Sequence, residues 1–139
     1  MPDLTAKDVM STKLITVTPS TSVMEFARIC AEDGISGAPV VQVDGKLEGV
    51  VSKTDIINYM LDEDPRFGSV EDLPSWAEER EVQDIMQSDV LAVAPETPVT
   101  EVAERMAEDR IHRVLVVDGR GKLVGIVTSI DLLAYYPKD

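Results

Sequence analysis

The sequence predicts an α+β chain made of two β-α-β-β-α repeats packed about a pseudo-two-fold axis. Three observations carry this. Asp55 recurs as Asp131, a spacing of 76 residues (131 − 55 = 76), and Pro19 and Pro95, Gly49 and Gly125, and Met10 and Met86 share that spacing. Over the roughly fifty residues that follow Asp8 and Asp84 the copies align without a gap and agree at about two positions in five, which marks an internal duplication. Within each copy a helix-period segment precedes two short β-branched runs joined by a glycine turn. A single copy has too little core to fold alone, so the two should share one. The predicted organisation is repeat 1 at 5–61, an acidic linker at 62–80 and repeat 2 at 81–136.

In chain order, residues 4–10 are expected to form a short helical turn capped by Thr5, then an extended segment from Leu14 to Val17 that Pro19 ends. From Thr21 to Asp33 the apolar residues Val23, Phe26, Ala27, Cys30 and Ala31 follow one face of a helix, so Cys30 reads as a packing thiol. Pro39–Val43 and Leu47–Val51 read as strands joined by Asp44-Gly45, two residues that tolerate positive φ. Gly49 interrupts the second run, which implies a bulge or a close backbone approach. A helix should follow from Lys53 to Leu61. The linker holds the sole Trp, Trp76, near which a short helix could cover an apolar surface.

The second copy repeats the pattern, with Val99, Val102, Ala103, Met106 and Ala107 on the helix face and Pro98 behind a Thr97 cap. Val114–Val117, an Asp118-Gly119-Arg120-Gly121 turn and Leu123–Val127 form the second hairpin, and a helix opens at Thr128, Ser129 or Asp131. His112 and Arg113 precede this hairpin while Thr128 and Asp131 follow it. Cationic and carboxylate groups thus collect at element ends, where a ligand can reach them.

Composition narrows the function. With 13 basic and 26 acidic residues the net charge is −13, which opposes general binding to duplex nucleic acid or to an anionic membrane. No apolar run approaches the roughly 20 residues that span a bilayer, and the N-terminus lacks a signal peptide's apolar region, so a cytoplasmic protein is expected. One histidine and one buried cysteine provide no His-based metal cluster and no Cys-His dyad, and neither a Walker loop nor a GxGxxG fingerprint occurs. The expectation is therefore no enzyme and no metal site.

Asp-Val-Met or Asp-Ile-Met, a Pro before an amphipathic helix, Pro-Val-Val or Val-Leu-Val-Val, Gly-Lys-Leu-x-Gly and Ser/Thr-x-x-Asp occur in this order twice. The ordered set resembles tandem CBS domains, named for cystathionine β-synthase, over nearly everything but the linker. The resemblance implies a Bateman module: a regulatory pair binding adenosine-containing ligands (AMP, ADP or ATP) in clefts between its repeats and signalling to a partner protein. It places a ribose on Asp55 and Asp131, with Ser52 and Thr128 beside them. His112-Arg113 resembles the phosphate-contacting pair of the gamma subunits of AMP-activated protein kinase, and a guanidinium fork suits phosphate oxygens. One site would combine Asp55 and Ser52 with His112 and Arg113; the other would combine Asp131 and Thr128 with Ser36, Gly37 and Ala38. Ile15, Leu91, Met10 and Met86 would line the adenine pocket. The site with the basic pair is expected to favour more highly phosphorylated nucleotides, and the Asp131 site to be weaker. The resemblance also implies a homodimer, through apolar helix residues including Met24, Met60, Tyr135 and Tyr136. Two other functions stay open: a ligand-free dimerisation or scaffold module, and a sensor of S-adenosylmethionine.

Overall fold

The described residues, 4–63 and 77–135 of a computed structural model, form an α+β fold in the order α1 (Ala6–Val9), α2 (Val23–Asp33), β1 (Gly37–Val41), β2 (Leu47–Ser52), α3 (Lys53–Glu63), a 3-10 turn (Val82–Asp84), β3 (Ala92–Val93), α4 (Val99–Asp109), β4 (Arg113–Val117), β5 (Leu123–Thr128) and α5 (Ser129–Ala134). They divide into two compact units, called inner and outer for their place along the sequence alone: the inner, Ile15–Val90, and the outer, Met1–Leu14 with Leu91–Asp139. Trp76 and Tyr136 lie outside the described residues, as does most of the acidic linker.

In the inner unit, the apolar stripe of α2 buries Val23, Phe26 and Cys30 against Val40 of β1, Val51 of β2 and Ile56 of α3. Ala77, from the end of the linker, and Val82 and Ile85, from the segment that begins the second repeat, complete this core. The outer unit mirrors it: Ala6 and Val9 of α1 join Val99, Val102 and Met106 of α4 with Val114, Val116 and Val127 of the β4–β5 hairpin. Each core thus takes its leading turn from the other repeat. Backbone pairing fixes the exchange, because Val50 exchanges both hydrogen bonds with Gln87 (2.9 and 2.8 Å), as Ile126 does with Ser11 (3.0 and 2.8 Å).

The close approach expected at the two strand glycines is present. A Cβ on Gly49 would stand 2.4 Å from the Gln87 carbonyl oxygen, and one on Gly125 would stand 2.4 Å from the Met10 sulfur. Both hairpins also shift register beside these glycines, between Val40 and Val41 and between Val116 and Val117.

Four local expectations are corrected. Leu14–Val17 is not a strand: Val17 alone bridges Val40 in parallel, in the place that β3 takes beside β4 in the outer unit. Thr97 does not cap α4; its hydroxyl accepts the Ala94 N–H at 3.1 Å and closes the preceding turn, leaving Pro98 as the N-cap. In α2 the cap is Ser22, whose hydroxyl accepts the Glu25 N–H at 3.0 Å. Where Asp44-Gly45 was read as the hairpin turn, two residues that tolerate positive φ, only Gly45 adopts one (φ 93°), because the loop spans three residues closed by the Gln42–Lys46 backbone bond. Asp44 instead accepts the Lys46 N–H at 3.0 Å. Finally, Met24 and Met60 are half-buried against the inner core and are not free apolar surface.

Candidate functional site

Each hairpin ends where a helix begins, and a Ser/Thr-x-x-Asp sequence there folds as a capping box. In the inner unit the Ser52 N–H donates to Asp55 Oδ2 at 2.8 Å and the Ser52 hydroxyl donates to the same oxygen at 3.1 Å. The Asp55 N–H returns a bond to Ser52 Oγ at 3.3 Å. A further donor, Gln87 Nε2, lies 3.1 Å from Asp55 Oδ1. Asp55 is 9% exposed, the one buried acidic or basic side chain among the described residues. Such a carboxylate needs partners, because an unpaired buried charge is costly.

In the outer unit the Thr128 N–H donates to Asp131 Oδ2 at 2.9 Å and the Asp131 N–H donates to Thr128 Oγ1 at 3.2 Å. No other described donor reaches Asp131, which is half-buried. His112 and Arg113 adjoin this turn: the His112 carbonyl accepts the Ser129 N–H at 2.9 Å, and Arg113 pairs with Thr128 across the hairpin. Both side chains are exposed, as is that of Arg110. At the matching end of the inner unit the Ser36 carbonyl accepts the Lys53 N–H at 2.9 Å and Gly37 pairs with Ser52. Ser36 is exposed and Ala38 is buried in the core.

Within one unit, then, Ser36, Gly37, Ser52 and Asp55 stand together, and within the other so do His112, Arg113, Thr128 and Asp131. The expected groupings join residues of different units. Of the adenine-lining set, Met10 and Leu91 pack against the outer core and Met86 against the inner, while Ile15 is 43% exposed. Sequence reasoning missed Gln87. It sits 76 residues after Ser11, and a long amide replacing a short hydroxyl at matched positions is the signal that could have flagged it.

Burial raises the Cys30 thiol above its usual range, consistent with a packing role. Asp118 is held below the usual carboxylate range, first by the Lys122 N–H and then by the Arg120 N–H, so it fixes the second hairpin loop. No helix among the described residues is long and apolar enough to cross a membrane.

Residues 6–62 and 82–138 each match the family model for the CBS domain. The chain is 30% identical over 149 residues to uncharacterized protein MJ1426 of Methanocaldococcus jannaschii, covering 91% of this chain and 88% of that one. A crystal structure of CBSX2 in complex with AMP is 31% identical with a TM-score of 0.75, covering 94% of this chain and 93% of the other. The CBS domain pair of protein MJ0100 in complex with 5'-methylthioadenosine and S-adenosyl-L-methionine is 29% identical with a TM-score of 0.72, covering 96% of this chain and all of that one. Some relatives are much longer: the chain is 37% identical over 119 residues to inosine-5'-monophosphate dehydrogenase of Korarchaeum cryptofilum but spans 21% of its length.

Proposed function

Because the chain belongs to the CBS domain family as a tandem pair, we propose that it is a regulatory module that binds an adenosine-containing nucleotide, AMP, ADP or ATP, and conveys occupancy to a partner protein. The observation that carries this reading is the Ser/Thr-x-x-Asp turn, built twice at equivalent helix starts in a fold whose solved relatives hold AMP, methylthioadenosine and S-adenosylmethionine. A carboxylate so placed can accept hydrogen bonds from the two hydroxyls of a ribose, the group those ligands share.

In this proposal Asp55 with Ser52 and Asp131 with Thr128 face ribose, and His112 and Arg113 take phosphate. Ser36, Gly37 and Ala38 supply small neutral surroundings, and Ile15, Leu91, Met10 and Met86 meet adenine. The module acts as a homodimer in the cytoplasm and has no catalytic role, in keeping with an enzyme relative several times its length. A ligand can shift the module's shape only by binding its two states with different affinity, so the signal resides in that difference.

A nucleotide that binds only the folded chain must raise its melting temperature. AMP, ADP or ATP is expected to do so, and Arg113→Ala should weaken the response in proportion to phosphate charge. No shift with any nucleotide would leave the scaffold reading. S-adenosylmethionine is the second ligand to try, favoured by the likeness to the pair that holds it. Stabilisation by it that is indifferent to Arg113→Ala would replace phosphate recognition with sulfonium recognition. Asp131→Ala should weaken nucleotide binding by about 1 to 3 kcal/mol, the scale of a charge-assisted hydrogen-bond pair, as measured by calorimetry.

A further inference from the structure

We propose that Gln87 occludes Asp55, so that a nucleotide occupies the site of Asp131 first; this inference rests on the nucleotide-binding reading. The two turns are equivalent in sequence and backbone, yet their carboxylates are not equally available. Asp55 accepts three donors, the Ser52 N–H, the Ser52 hydroxyl and the Gln87 amide, and is 9% exposed. Asp131 accepts one among the described residues, the Thr128 N–H, and its Oδ1 faces no described donor.

The chain contains its own control for the cause. Ser11 holds the position of Gln87 in the other unit and makes the same double backbone bond, to Ile126 where Gln87 bonds Val50. At this position the two units differ in the side chain, a long amide in one and a short hydroxyl in the other. The Gln87 amide spans the gap to the carboxylate, whereas the Ser11 hydroxyl makes no hydrogen bond to Asp131. A ribose arriving at Asp55 must displace the amide from Oδ1, and at Asp131 it meets an oxygen that no described donor occupies. Gln87 therefore stands in for a ligand hydroxyl and sets the order of filling. That order is the reverse of the one expected from the basic pair alone.

Calorimetric titration of the full chain with AMP, in wild type, Gln87→Ser, Ser11→Gln and Asp131→Asn, tests this. Wild type is expected to show one tight event and a second at least about tenfold weaker, the scale of one hydrogen bond to a charged group. Asp131→Asn should weaken the tight event by about ten- to a hundredfold. Gln87→Ser should bring the weak event to within about threefold of the tight one, and Ser11→Gln should weaken the tight event several-fold. Two wild-type events of equal affinity, or a Gln87→Ser titration identical to wild type, would overturn the occlusion while leaving the nucleotide-binding reading intact. Absence of AMP binding in every variant would instead bring down that reading and the occlusion with it.

Discussion

Arg110 stands where the first repeat has a glycine. It ends α4 with φ 54° and ψ 46°, the left-handed region, and is the one non-glycine residue with positive φ among those described. Its counterpart at the end of α2 is Gly34, with φ 67° and ψ 33°. A side chain is disfavoured there because Cβ crowds the following carbonyl. Arg110→Gly is therefore expected to stabilise the chain by about 0.5 to 1 kcal/mol, the relief being offset in part by the freedom glycine gains when unfolded. Thermal or urea unfolding measures it, and a destabilised variant would show that the guanidinium holds a compensating contact. The strain lies two and three residues before His112 and Arg113, so its removal is expected to cost ligand binding, which a titration of the same variant reports.

At the scale of elements, the two hairpins depend on glycine for different reasons. At Gly49 a methyl group would meet the backbone carbonyl of Gln87, held in place by its double bond with Val50; at Gly125 it would meet the flexible end of Met10. Gly49→Ala should thus cost about 3 kcal/mol and Gly125→Ala about 1 kcal/mol, because a side chain yields where a paired strand does not. Equal losses in urea unfolding would contradict this distinction. The second hairpin also carries a pH signature. Since the folded state depresses the Asp118 pKa, the carboxylate stabilises the loop above the ordinary aspartate range and the contribution is lost as pH falls through the folded value. Asp118→Asn should be less stable than wild type at neutral pH, with the gap closing as the pH falls below the ordinary aspartate range and through the lowered folded value. A gap that persists in acid would assign its effect to something other than charge.

For the whole molecule, most of the large apolar side chains left open among the described residues lie on or beside two helices, with Val43 and Ile15 exposed elsewhere. Ile57 and Leu61 of α3 are 54% and 61% exposed, and Ile130 and Leu133 of α5 are 74% and 70% exposed, with Tyr135 beside them at 43%. Spaced one helical turn apart, each pair forms a stripe of the kind that packs against another helix. The expected homodimer would cover these stripes, with the half-buried Met24 and Met60 as lesser contributors. Light scattering at micromolar concentration should give twice the chain mass, and Leu61→Lys with Leu133→Lys should return the monomer. A wild-type monomer mass would exclude the dimer.

The sequence by itself determined the duplication, the α+β class and the type of nearly every element, because these follow from local patterns: apolar spacing in α2 and α4, β-branched runs in the hairpins, and Gly49 and Gly125 where another chain segment comes close. It also marked Asp55 and Asp131 as cap-forming carboxylates, since Ser/Thr-x-x-Asp is a contact across three residues. Only the tertiary structure decided what depends on residues distant in the chain. The leading turns of the repeats exchange cores because Gln87 and Ser11 pair with strands of the other repeat, and Pro98 replaces a side-chain cap because the Leu4 carbonyl accepts the first N–H of α4 at 2.9 Å. The availability of the two carboxylates belongs to the same class: whether Asp55 is open is set by an amide 32 residues away, and no local pattern records that distance.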